Sequence, residues 1–189
     1  CSIKCNNVYV YNIEDWVFIV GEMHDNNGYQ ERRIYGANKS DMTFYVIPKY
    51  GSDEEFYTLS GMWTNVDTIP YLCYGKIKSD GTTGIIVCQD RPYSYNGSKS
   101  YKIFFNVLEM QNGKWTCVKD FDVAYTVSSS SNNYAIGCKP FYNKYLQRVQ
   151  VIWYQRASNS TQSYILNTFD VASAYEGSEL TREGTVTLW

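Results

Sequence analysis

Cys5, Cys73 and Cys138 are each followed, twelve residues on, by Val17, Ile85 and Gln150, which lie in the short apolar runs "VFIVGE", "IIVCQD" and "VQVIWYQ". After each run comes a polar segment: "MHDNNG", "RPYSYNGSKS" or "RASNSTQS". Each segment ends at a tyrosine, Tyr29, Tyr101 or Tyr164, where a further strand pattern starts. The three cysteines are 68 and 65 residues apart. A period of that length describes one supersecondary unit used three times. The expected organisation is therefore one domain, 1–189, with repeats 5–72, 73–137 and 138–189.

The residue types inside each unit choose its class. Val, Ile, Thr and Tyr dominate, with 19 Tyr in 189 residues, and no stretch holds a sustained 3.6-residue apolar period. β-Branched and aromatic side chains fit a pleated, half-buried surface. The class expected is all-β, built from antiparallel four-stranded units. In the middle unit Ser79-Asp80-Gly81-Thr82 reads as a two-residue Asp-Gly hairpin turn. That turn places Cys73 opposite Cys88, about 5.5 Å apart between Cα atoms if the pair is hydrogen-bonded, within disulfide reach. A Cys73–Cys88 bond is expected on that register. Asn112-Gly113 makes a second hairpin, so the unit reads as strands Leu72–Lys78, Gly84–Gln89, Tyr101–Met110 and Lys114–Val123.

Meanders of four strands at this length are β-propeller blades. The strand "IIVCQD", the polar segment after it and "NGKW" at Asn112–Trp115 resemble blades of secreted lectin and sialidase-like propellers, in which an "I-x-V-x-x-Q" strand precedes a polar loop and a Gly-Trp turn. The resemblance covers most of the middle unit, part of the third and little of the first. It implies blade packing and a carbohydrate-binding role at a surface. The sialidase Asp-box is absent, and the arginine that fucose lectins carry in this strand falls on Val151, so their sugar site does not transfer. Propellers usually have four to eight blades, so three units imply part of a larger ring or a homodimer that closes one. A β-trefoil and a β-sandwich remain as alternative arrangements.

Six cysteines and the sequons at Asn38, Asn96 and Asn159 point to a secreted or extracellular-surface glycoprotein. Buried, reduced thiols are the alternative for the cysteines. Cys1 at the start is also what a processed, lipidated protein would present, although Cys5 and a strand follow at once and leave little tether. Net charge is −2 with 19% charged residues, which gives no footprint for nucleic acid. No apolar run is long enough for a transmembrane helix.

Catalytic chemistry has few donors to work with. The single histidine, His24, would have to serve any Ser/His or Cys/His pair, and its setting "GEMHDNNG" reads as a strand end entering an exposed loop. No Cys-x-x-Cys pair exists, so no metal is expected, and no nucleotide fingerprint implies a cofactor. Glu22 and Asp90 fall at corresponding positions after the second strand of their units, and two loop carboxylates suffice for a glycoside hydrolase. Surface carboxylates are the ordinary explanation of both. The short acidic clusters "SDEE" and "DFD" lack the ligand spacing of a calcium loop.

A binding role fits the segments better. Asp90, Arg91, Tyr93 and Tyr95 in the middle unit, Arg156 in the third and His24 in the first combine aromatic faces with adaptable polar groups. The function expected is a non-enzymatic binding domain for a glycan or a protein partner, acting through the segments after each second strand. A carbohydrate-active hydrolase and a structural subunit of a surface assembly are the alternatives.

Overall fold

The computed structural model describes residues 4–24, 30–48, 50–51, 57–58, 70–95, 98–125, 134–156, 162–177 and 179–188. The described chain is all-β apart from one six-residue helix, and no helix there is long and apolar enough to cross a membrane. It forms three antiparallel sheets whose first strands run in chain order. The first holds β1 (Lys4–Ile13), β2 (Trp16–His24), β3 (Gln30–Asn38) and β4 (Tyr45–Val46), with β5 (Tyr57–Thr58) also paired to β3. The second holds β6 (Tyr71–Lys76), β7 (Thr83–Tyr95), β8 (Ser98–Gln111) and β9 (Lys114–Tyr125). The third holds β10 (Tyr134–Asn143), β11 (Arg148–Arg156), β12 (Gln162–Phe169) and β13 (Arg182–Thr187), with α1 (Val171–Glu176) between the last two.

Two compact units result. One comprises Cys1–Ser60 with Glu109–Val118, the other Gly61–Leu108 with Lys119–Trp189. In the first unit, side chains from alternate positions of β2, β3 and β4 share one face. Phe18, Val20, Ile34 and Ile47 are buried there. Trp16 and Phe18 meet Trp115 with ring centroids 6.3 and 5.9 Å away, both edge-on, the arrangement aromatic quadrupoles favour. The Tyr45 hydroxyl accepts the Trp115 backbone N–H at 2.5 Å. Burial raises the Tyr45 pKa, a shift this hydrogen bond partly opposes.

In the second unit the sheets pack face to face. Phe105 and Phe169 bring their rings to 5.0 Å. A Cβ on Gly75 would lie 2.2 Å from the Tyr142 ring, so only glycine lets β10 settle this closely on β6. Gly84 is confined too: its Cβ would lie 2.5 Å from the Leu108 carbonyl oxygen.

Turn geometry corrects the middle hairpin. The Ile77 amide donates to the Thr82 carbonyl at 2.8 Å, leaving four residues, 78–81, in the connection. Asp80 is not one half of a two-residue turn. Its carboxylate instead accepts the Thr82 amide at 2.8 Å, while Gly81 takes φ +96°. The register therefore moves by two residues, and Cys73 faces Ile86 while Cys88 faces Tyr71. The expected Cys73–Cys88 disulfide does not form, and both are buried thiols. As diagonal neighbours their Cα atoms are separated by about 7–8 Å, too far for a bridge. Burial, and then the adjacent Cys88, push the Cys73 pKa well up, so its thiol stays protonated and inert. Asn112-Gly113 forms its turn as expected, with φ +50° and +78°, the doubly left-handed signature of a type I′ hairpin.

The polar segment of the middle unit is the second correction. It is strand, not loop: β7 continues to Tyr95, which pairs with Ser98. Backbone pairing does not depend on apolar side chains, and Tyr93 and Tyr95 favour extended structure. Asn96-Gly97 connects the strands with the same dipeptide that closes β8 and β9, although the pair itself lies outside the described residues.

Candidate functional site

The residues nominated from sequence all lie on the hairpins joining second to third strands. Glu22 pairs with Asn6 and Arg32, and His24, the last residue of β2, pairs with Lys4 and Gln30. Asp90 pairs with Ile103, Arg91 with Lys102 and Tyr93 with Ser100. Arg156 ends β11, opposite Tyr134 and Gln162. The backbone thus carries each candidate to the distal part of a β2–β3, β7–β8 or β11–β12 hairpin. The side chains of all seven candidates fall outside the described set. Glu22 belongs to the first compact unit and Asp90 to the second.

Of the sequons, Asn38 is described and the others lie outside the described residues. Asn38 closes β3 and starts a turn: its side-chain oxygen accepts the Ser40 amide at 2.9 Å and its carbonyl accepts Met42 at 2.8 Å. "SDEE" lies outside the described residues, and among them no group of three or more His, Cys, Asp or Glu could hold a metal ion.

The best-defined polar cluster was not legible in the sequence. Arg148, at the start of β11, reaches Asp170 at 2.9 Å and Glu183 at 2.7 Å. Those partners come from the N-cap of α1 and from β13, so one guanidinium ties three elements together. Burial opposes ionisation of Asp170, but the Ser173 amide and hydroxyl, together with Arg148, outweigh it and hold the carboxyl below its ordinary value. The hydrogen bond to Glu183 raises the Arg148 pKa further. Beside it, the Lys76 ammonium donates to the Gln147 side-chain oxygen at 3.0 Å. Burial raises the Tyr142 pKa above its ordinary value.

A polar ladder also crosses the third sheet. Asn143 donates to Gln150 at 2.9 Å, and Gln150 donates to Thr168 at 3.2 Å, so both ends of a buried amide are satisfied. Neither the ladder nor the Arg148 cluster aligns a nucleophile with a base. Both are built to hold strands and the helix in place.

Compared with protein-family models, curated proteins and solved structures, the chain gives no match.

Proposed function

We propose that the chain is a non-enzymatic extracellular or cell-surface binding domain that recognises a glycan or a protein through its three second-to-third-strand hairpins. The observation that carries this reading is topological. His24, Tyr93 with Tyr95, and Arg156 stand near the same end of three successive meanders. Aromatic and polar residue types carried on the hairpins of a β scaffold suit recognition.

The same reading treats the meanders as one blade-like unit repeated. Its support is that the cysteine spacing carries burial with it: Phe18, Ile86 and Val151 are buried at one step, and Val20, Cys88 and Trp153 at another. Repeats that cannot close a ring alone would do so in a homodimer or a larger assembly.

Glycan-array binding, followed by titration of the best ligand, tests the site. Tyr93→Ser with Tyr95→Ser should weaken binding at least tenfold, and the unfolding midpoint measured alongside separates lost recognition from lost strand structure. Unchanged binding in that variant removes the hairpins from recognition. Turnover of the sugar, lost in Asp90→Asn or Glu22→Gln, would replace the binding reading with a hydrolase.

A further inference from the structure

The cysteine spacing that aligns the three meanders also aligns their faces. Phe18, Ile86 and Val151, thirteen residues after Cys5, Cys73 and Cys138, are buried in all three. The next residue in each, Ile19, Val87 or Ile152, lies on the opposite face. Val87 is fully buried there, whereas Ile19 and Ile152 are half-buried. The same face is sealed in the middle meander and open in the first and third.

Both open faces are apolar across a whole sheet. In the first meander Val10, Ile19, Tyr35 and Val46 form one row over β1 to β4, with Val8 and Val17 beside it. In the third, Ile152, Leu166 and Val186 form a row over β11 to β13, with Phe141, Tyr164 and Leu188 around it. Val10 is 59% exposed and Val186 56%. The nearest charges border the patches: Arg33 on the first, Lys139 and the Arg148–Glu183 pair on the third. An apolar centre inside a charged rim is the layout of a subunit contact. A stack of repeats stays soluble by ending in polar outer faces, and neither outer meander is finished that way.

What covers a meander face in this chain is another meander. Trp115 of the second meets Trp16 and Phe18 of the first, and Phe105 of the second meets Phe169 of the third. We infer that the same packing continues between copies: the open face of the first meander in one copy seats on the open face of the third in a second copy. Pairing unlike faces through two such contacts covers both on each of two copies. Pairing like faces would leave one of them in water. The inference rests on the repeat reading above and names the surfaces that would carry it.

The test uses Val10→Lys and Val186→Lys, made separately in the full chain, with mass followed against concentration by sedimentation. Both valines are more than half in water, so each variant should unfold at the parent's midpoint. The parent should be a dimer. Each lysine brings an unpaired charge into the contact, so self-association should weaken about 100-fold. An equal mixture of the two variants should regain a dimer, because one of its two contacts joins unaltered faces. Three results would overturn the inference: a monomeric parent, whatever else then covers the faces; association indifferent to either lysine; or variants that stay apart when mixed, as like-face pairing requires. Glycan binding is scored on the same samples. A monomeric parent that binds leaves the recognition reading standing, and a dimer that binds nothing defeats that reading alone.

Discussion

β7 and β11 are both second strands of a four-stranded meander, yet they solve burial differently. Gly84 to Cys88 are buried one after another, so β7 is covered on both faces. In β11 the apolar burial alternates through Val149, Val151 and Trp153, while Gln150 is buried only with its amide bonded at both ends. The sequences show why: "GIIVC" offers no polar side chain to either face, and "VQVIW" places one, Gln150, on the face that Ile152 shares. One topology therefore supports a closed sheet and a half-open one, and side-chain order decides which.

That contrast is open to direct attack. Val87 is fully buried on the face of β7 whose counterpart in β11 includes the half-buried Ile152. Val87→Asp should cost about 4 kcal/mol or prevent folding, because a carboxylate there has no water. Ile152→Asp should cost about 1 kcal/mol, since its face is partly solvated. Urea unfolding of both variants checks the difference. Equal costs would mean that the two strands are covered alike.

Packing between these sheets is tested at Gly75. Gly75→Ala drives a methyl into the Tyr142 ring and should cost about 1–3 kcal/mol by overpacking. In a Tyr142→Ala background the same substitution should cost almost nothing, giving a large coupling energy in a double-mutant cycle. Additive costs would show that the ring moves aside freely.

How much of this was readable beforehand follows from what each feature depends on. The class, and the Asn112-Gly113 turn, follow from local residue preference and were legible. The register of β6–β7 turned on whether Asp80 occupies the backbone turn or caps it with its side chain, and "SDGT" is compatible with both. That ambiguity of two residues is what created and then removed the disulfide. The length of β7 was hidden by reading polarity as loop, even though Asn96-Gly97 carries the hairpin signal. Arg148, Asp170 and Glu183 are separated in sequence and become one cluster only once β13 returns beside β12. The β10–β11 turn differs from its β6–β7 counterpart in the sequence itself, with Tyr145 and Leu146 where the other has Ser79 and Asp80.

The third sheet depends on charge at its end, and acid should expose this. The folded pKa of Asp170 lies below its unfolded value of about 3.9. Its contribution is therefore whole above that value and is lost as pH falls through the lower folded value. Asp170→Asn should cost about 1–2 kcal/mol near neutral pH, through the weakened cap and the lost ion pair, and should flatten the stability profile below pH 4. A profile unchanged from the parent would show that the cluster contributes nothing to α1 or β13.

The smallest effect separates the two four-residue turns by size. Gly81 and Gln147 close them with φ +96° and +53°, so the same backbone position is filled once by the residue that tolerates it and once by one that does not. Gly81→Ala should destabilise the chain by about 1 kcal/mol, because a Cβ is introduced where the left-handed conformation disfavours it. Nothing crowds that position, so the cost is conformational alone. Gln147→Gly relieves the equivalent strain but gives up the hydrogen bond from Lys76 and adds freedom to the unfolded chain. The net change should lie within about 0.5 kcal/mol of zero. If Gln147→Gly instead stabilises by a full kcal/mol, the Lys76 contact contributes little and the left-handed strain dominates at that position.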